Sequence, residues 1–441
     1  MEKISYDATF DLLFGLFTGG SSDRALQLQA ALLSRRVHVT SHVAVSEDCD
    51  MPIQEAIRLG HDAMQTVGWS VHRLPGPQAL AGLMPEWEAL AMAAHPQNPF
   101  VSPLWVTLWW KHFRRNSFKF RDEFFAHVVR DDSGRLIALA PLMRTYCPGW
   151  GPAVMRIVQF FGTDASLTEF RGVICRPEDH DRVISVMIEH FGKYCDQWDI
   201  FRWYGLTDVA SAYNTSGQRS ALRARDSVAD YIVALPGSWD ELRLRVSSNM
   251  RKNLRKAYES LDHAKLTFEL KVVEHANDLD GAIARFHELH RVRADAAGMI
   301  RHPDKFTKPH VRAFLREYLH HLSTQGDLHI FELQIDQNVV ATRLSFSVGS
   351  TLYLYFGGYD VAWKDYSIMT VSISEIIKWC IKRNFQTLNL STGTDQSKLR
   401  WKPDEIILHN AVQKSPTARG MVAWRSFLVY EAIGRWRASM Q

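Results

Sequence analysis

The chain has 441 residues, 46% of them hydrophobic and 23% charged, with a net charge of +4. That length exceeds one ordinary core and suits two domains plus an extension, and the apolar fraction excludes a disordered chain. So nearly neutral a balance gives no general attraction to nucleic acid; DNA is not an expected partner and any basic function is local.

Residues 1–68 read as an N-terminal extension, with a Gly-Gly-Ser-Ser break at 19–22 and a polar stretch from Ser46 to Asp50. Glu2, Lys3, Asp7 and Asp11 argue against a secretory signal, and no run approaches the ~18 apolar residues of a membrane span. The five cysteines (Cys49, Cys147, Cys175, Cys195, Cys380) are scattered without a CxxC pair, which fits a reducing compartment and no structural zinc. The expected address is the cytoplasm. Phe10, Leu12, Leu13, Phe14, Leu16 and Phe17 offer either a docking segment or peripheral membrane contact.

From Trp69 the texture is globular. Residues 69–74 suggest a strand and Met84–Ala93 a helix. Ser102 then suits an N-cap with Pro103 at the first helical position, and Trp105, Leu108, Trp109 and Phe113 give an aromatic face for core packing. Two later regions share a plan. Runs 124–129 and 136–142 flank the turn Asp131-Asp-Ser-Gly134, and runs 329–335 and 339–346 flank Asp336-Gln-Asn338. Each hairpin is followed by strand, helix and strand: 155–161, 182–194 and 198–204 in the first copy, 351–356, 367–382 and 387–391 in the second. The repeated order predicts a duplicated mixed α/β domain with boundaries at 69–235 and 236–416. Ser238 reads as the cap of a new helix with Glu241 as its partner, and 417–441 as a C-terminal helix on the second domain.

Two stretches carry candidate chemistry. In Ser247–Lys256 a helix would bury Met250, Leu254, Ala257 and Leu261 on one stripe and align Ser247, Arg251 and Arg255 on another, with Lys252 and Lys256 beside them. Such a face holds an anion or is simply solvated. In Thr351–Trp401 an aromatic strand meets Gly357-Gly358 and feeds a helix whose first turn, around Tyr366 and Ser367, has free N–H groups suited to phosphate or pantetheine; the plainer reading of the glycines is a turn or bulge. Lys398 could pair with a phosphate or a carboxylate, and Trp401 offers a flat wall or core packing. His287 and His290 lack a third ligand, so no metal is expected, and His302, His320 and His321 read as surface residues.

These pieces resemble the cellulose-biosynthesis CelD-like branch of the GNAT acyltransferases over residues 69–412. The marks are Asn98-Pro-Phe…Ser102-Pro…Trp105, Ser247…Arg251-Lys-Asn-Leu-Arg255, Tyr355-Phe-Gly-Gly-Tyr-Asp360 and Ser391-Thr-Gly393…Lys398…Trp401. The resemblance implies an α/β (mixed α+β) fold of two tandem GNAT-like domains, similar to Fem-type transferases, each a mixed, largely antiparallel sheet flanked by helices. It implies an acyltransferase that moves an acyl group from acyl-coenzyme A to an amine or hydroxyl of a small molecule or glycan, in polysaccharide or cell-envelope synthesis. Arg251, Arg255, Gly357, Gly358, Tyr366, Ser367, Lys398 and Trp401 would then contact the coenzyme. The family often carries an acidic residue before the exit loop, where this chain reads Asn389-Leu-Ser391, and its helix starts Ser367-Ile-Met rather than Ser-Pro-Gly. The base is left open among Asp395, Asp360 and a water held by Tyr359. The alternatives are Fem-like aminoacyl transfer from charged tRNA and a non-catalytic assembly or scaffold protein.

Overall fold

Runs of strands alternate with runs of helices along the described chain, which the computed structural model places over residues 68–438 apart from 165–166, 211, 213–221, 276–277 and 297–302. The apolar segment at 10–17 lies outside the described residues. The first half holds β1 (Ser70–Arg73), α1 (Met84–Ala93), α2 (Pro103–Phe113), β2 (Arg121–Phe124), β3 (His127–Arg130), β4 (Leu136–Ala140), β5 (Leu142–Cys147), β6 (Met155–Phe160), β7 (Ile174–Cys175), α3 (His180–Lys193) and β8 (Ile200–Leu206). The long strand β9 (Leu222–Ala234) leads on to α4 (Trp239–Arg245), α5 (Ser248–His263), β10 (Phe268–Val273), α6 (Leu279–Asp295), α7 (Pro309–Gln325), β11 (Leu328–Ile335), β12 (Asn338–Val348) and β13 (Thr351–Tyr359). The chain ends through α8 (Ile368–Lys382), β14 (Thr387–Thr392), α9 (Gln396–Leu399), β15 (Asp404–Lys414) and α10 (Ala418–Ala438). Residues 70–426 form one unit.

Eleven strands make one sheet in the order β10-β11-β12-β13-β14-β9-β15-β8-β6-β5-β2. Its parallel pairs are β13 with β14 and β6 with β8, each joined through a helix. These are the two predicted strand–helix–strand repeats. The last strand of each repeat completes the other: β9, which follows β8 in sequence, pairs with β14, while β15, which follows β14, pairs with β8. β9 and β15 then pair with each other from Leu222–Gln413 to Ile232–Asp404, which joins the halves into one sheet.

The hairpins follow turn chemistry. Asp336 and Gln337 take φ of 47° and 68°, the two-residue turn that matches strand twist. Asp131 accepts the N–H groups of Ser133 and Arg135 and fixes the other turn. The first hairpin is broken in the middle, unlike the continuous strands expected there. Pro141 has no N–H to give, so the outer parts β2 and β5 stay in the large sheet. The inner parts β3 and β4 join β1 and β7 in a separate four-stranded sheet.

Side chains alternate along β13: Leu352 and Leu354 pack toward α5 and α8, with Leu254, Ile376 and Trp401. Tyr353 and Tyr355 pack the other way, with Trp105, Phe286 and Phe314 of α2, α6 and α7. Ser102 caps α2, Ser238 caps α4 through the Glu241 N–H, and Ser247 caps α5. The buried residues of α5 are Met250, Leu254, Ala257 and Leu261, the stripe expected from spacing. The first turns of α10 pack on the first half rather than the second, because β15 has carried the chain across the sheet: Arg419 pairs with Asp199 at 3.1 Å and Trp424 meets Arg223.

Candidate active site

β13 and β14 run side by side only from Thr351–Thr387 to Tyr353–Asn389 and then part. Opposite the gap, β13 carries one extra residue against β12: Arg343 pairs with Gly357 and Ser345 with Leu354, so three steps on β13 face two on β12. The bulge at Tyr355–Phe356 bends the strand away and leaves its free edge toward β14 without a ladder partner. The two strands diverge from there and leave a wedge between them.

Its first border is acidic and comes from the other half of the chain. The loop after β6 brings Glu169 to the start of the gap, where Tyr353 Oη donates to Glu169 Oε2 and Ser391 Oγ lies 2.8 Å from both carboxyl oxygens. Ser391 holds φ of 67°, and its N–H donates to Asn389 Oδ1 at 2.7 Å. Asn389 Nδ2 in turn donates at 2.7 Å to Oδ2 of Asp230, a fully buried residue of β9. Burial pushes Asp230 up to about 7, with the Glu169 charge adding to the shift. Loss of water likewise raises Glu169, against the pull of Tyr353, Lys398 and Ser391.

The second border is basic. Burial lowers Arg293, Arg343 and Lys398 from their ordinary values, Arg343 to about 10 with Arg293 adding like-charge repulsion. Asp395 is the carboxylate that all three feel. Arg293 donates to Gly357 O at 3.3 Å and Lys398 to Thr392 O at 2.5 Å, while Arg343 Nε is buried without a hydrogen-bond partner among the described residues. Three half-buried cations thus share Asp395, and Lys398 also feels Glu169 and Asp230, which leaves this border with more cations than carboxylates.

The residues singled out from sequence fall into three places. Asp395, Lys398 and Tyr359 belong to the opening; the Arg293 guanidinium lies 5.8 Å from the Tyr359 ring. Gly357 and Gly358 are in the strand, which does not stop there but continues to Tyr359. Both are covered by protein: a Cβ on Gly358 would lie 2.3 Å from His290 N, and one on Gly357 3.0 Å from the Arg343 guanidinium carbon. These glycines let α6 and Arg343 approach β13 closely. Asp360 caps the short 3-10 turn Val361–Tyr366 through the Ala362 N–H, and Ser367 takes a left-handed φ of 52° without capping α8 by its side chain. Arg251 and Arg255 line a separate groove along α4, α5 and α8, with Lys378. Trp401 is buried, its ring 6.5 Å from that of Trp239.

Sequence reading missed Glu169, Asp230, Arg293 and Arg343. Glu169 sits in a loop with no motif around it and becomes visible only when the halves are joined. Arg343 carried a weak signal as the one charged residue of β12, whereas Arg293 is one of three arginines on a polar helix and carried none. His290 turns its Nδ1 to Gly357 O at 3.2 Å, and no cluster of three or more metal-ligating side chains occurs among the described residues.

The equivalent gap of the first half is closed. β6 and β8 pair from Ile157–Ile200 to Gln159–Arg202, and the loop after β6 then folds back over the ends. A Cβ on Gly162 would lie 2.5 Å from Thr168, and one on Gly205 of β8 2.5 Å from Arg171 O. The space left among Phe100, Trp105, Phe160 and Phe170 is about 20 Å³, room for about one water.

Residues 248–402 match the family model of the acetyltransferase (GNAT) domain, a span that includes both strands of the opening but not Glu169 or Asp230. No curated protein matches. Among solved structures, FemX is 8% identical over 78% of this chain and 96% of its own, with a TM-score of 0.51. A conserved protein of unknown function from Bacteroides thetaiotaomicron VPI-5482 is 14% identical over 78% and 100%, with a TM-score of 0.47. A tandem GNAT protein from the clavulanic acid biosynthesis pathway is 8% identical over 79% and 98%, with a TM-score of 0.38. The fold is GNAT-like and shared with a Fem-type protein, and residues 248–402 carry the match to the acetyltransferase domain.

Proposed function

We propose that the chain is an acyltransferase of two GNAT-like halves, with one active opening between β13 and β14 and acyl-coenzyme A as donor. The observation that carries this reading is the parting of two parallel strands beside a desolvated carboxyl group, Glu169, and three half-buried cations. A thioester donor arrives already activated, so the protein has to bind it, place an acceptor amine or hydroxyl and take its proton. Arg293, Arg343 and Lys398 fit a negatively charged donor or the charge that grows on a carbonyl oxygen. The buried Nε of Arg343, without a hydrogen-bond partner among the described residues, supports that fit. Glu169 is the proton acceptor, held by Tyr353 and Ser391 and tuned upward by burial, which makes it a better base than an exposed carboxylate. Asp395 orients the cations, a narrower role than the base considered from sequence. We place the acceptor among small molecules or glycans of polysaccharide or envelope synthesis, handled in the cytoplasm.

The test is release of free coenzyme A thiol from acetyl-, succinyl- and long-chain acyl-coenzyme A in the presence of amine and hydroxyl acceptors. The reading expects acceptor-dependent release that Glu169→Gln slows about 10²–10⁴-fold. No release with any donor, from folded protein, sends attention to charged tRNA as donor or to a scaffold role.

A further inference from the structure

The outer side of α4, α5 and α8 forms a groove of about 550 Å³, a volume within the usual range for small-ligand sites. Its floor and rim carry five cations, Arg243, Arg251, Lys252, Arg255 and Lys378. Three carboxylates answer them: Asp240 pairs with Arg243 at 3.2 Å, Glu259 with Arg255 at 3.6 Å and Glu375 with Lys378 at 2.7 Å. Lys252 and Arg251 have no carboxylate partner among the described residues. Arg251 is nevertheless fixed, since its Nη1 donates to Val246 O at 2.7 Å and so anchors the guanidinium at the end of α4.

The walls are aromatic and held in place. Tyr258 Oη donates to Glu375 at 2.6 Å, and Lys378 Nζ lies 4.7 Å from the Tyr258 ring and 5.2 Å from the Trp239 ring. Trp239 is backed by the buried Trp401. A simple solvated basic face needs neither the concavity nor the two fixed rings. Excess positive charge beside flat apolar walls is the complement of a phosphate joined to a planar base.

We propose that this groove is a nucleotide site, with phosphates on Arg251, Lys252 and Arg255 and the base against Trp239 and Tyr258. The proposal stands apart from the transfer reading: the residues of the opening, Arg293, Arg343 and Lys398, do not line the groove. The test is calorimetric titration of the full chain with uridine 5′-diphosphate, uridine and inorganic phosphate, repeated for the double variant Lys252→Ala/Arg255→Ala and for Arg343→Gln; this nucleotide is not part of the donor proposed for the opening. Lys252 and Arg255 are exposed, so the double variant keeps the fold. The expected result is binding of the diphosphate, weaker at higher salt, weakened at least about tenfold in the double variant and unchanged in Arg343→Gln. Uridine and phosphate alone should each bind at least about tenfold more weakly. Absence of diphosphate binding, loss in Arg343→Gln but not in the double variant, or phosphate binding as tightly as the diphosphate would each overturn it.

Discussion

Ser391 on β14 and Glu169 in the loop after β6 are 222 residues apart in sequence, yet the serine hydroxyl lies 2.8 Å from both oxygens of the carboxylate. The contact explains how the opening can have a base although its own strand supplies none. The first half has closed its own gap with a loop and used the same loop to reach into its neighbour's.

Glu169→Gln should therefore slow transfer about 10²–10⁴-fold while leaving donor affinity unchanged, because the amide keeps the shape and loses the proton acceptor. Steady-state kinetics beside calorimetry separates the two. With a raised Glu169, wild-type activity should fall as pH drops through values above the usual carboxylate range, and the Gln variant should lose that acid limb.

Asp230 gives a stability prediction. Its folded value of about 7 lies above the ordinary 3.8, so the native state binds the proton more tightly than the unfolded chain. The contribution is fully present below the unfolded value and is lost as pH rises through the folded one, with a ceiling of roughly 4 kcal/mol. Asp230→Asn mimics the protonated acid and can still accept from Asn389. Its Tm advantage over wild type should be small at pH 4 and grow toward pH 8. A constant offset would mean that Asp230 does not titrate in this window.

Gly358→Ala should destabilise by about 3 kcal/mol or more, since the new Cβ meets backbone atoms of α6 at 2.3–2.4 Å that cannot swing aside. Gly82→Ala, where nothing lies within 4 Å, should stay within about 0.5 kcal/mol. Denaturant melts of the two variants make the comparison.

Local chemistry was legible in the sequence and assembly was not. Ser102, Ser238 and Ser247 cap helices as their spacing indicates, and the stripe of α5 is buried where periodicity put it. The glycine pair was legible only as a place where backbone comes close; that the visitor is α6 follows from packing between elements about 70 residues apart. Glu169 and Asp230 could not be read at all, because their importance depends on the exchange of β9 and β15 across the sheet. Nothing in a local pattern says which sheet a strand will join.

That exchange has its own consequence. Residues 70–235 and 236–426 expressed separately should each be insoluble or unfolded, as each would lack the strand that completes its parallel pair and expose a long edge. Coexpressed, they should copurify as a folded complex by circular dichroism and gel filtration. A stable, monomeric 236–426 would show that β9 is dispensable.

The most direct test of the central claim is calorimetry of the purified chain with acetyl-, succinyl- and long-chain acyl-coenzyme A, run beside Arg343→Gln. Binding of one donor in the micromolar range is predicted, about −8 kcal/mol. The variant should bind it at least about tenfold more weakly with an equal or higher Tm, since it removes a buried cation set beside another. Equal binding by wild type and variant, or no binding of any donor by folded protein, would contradict a donor site between β13 and β14.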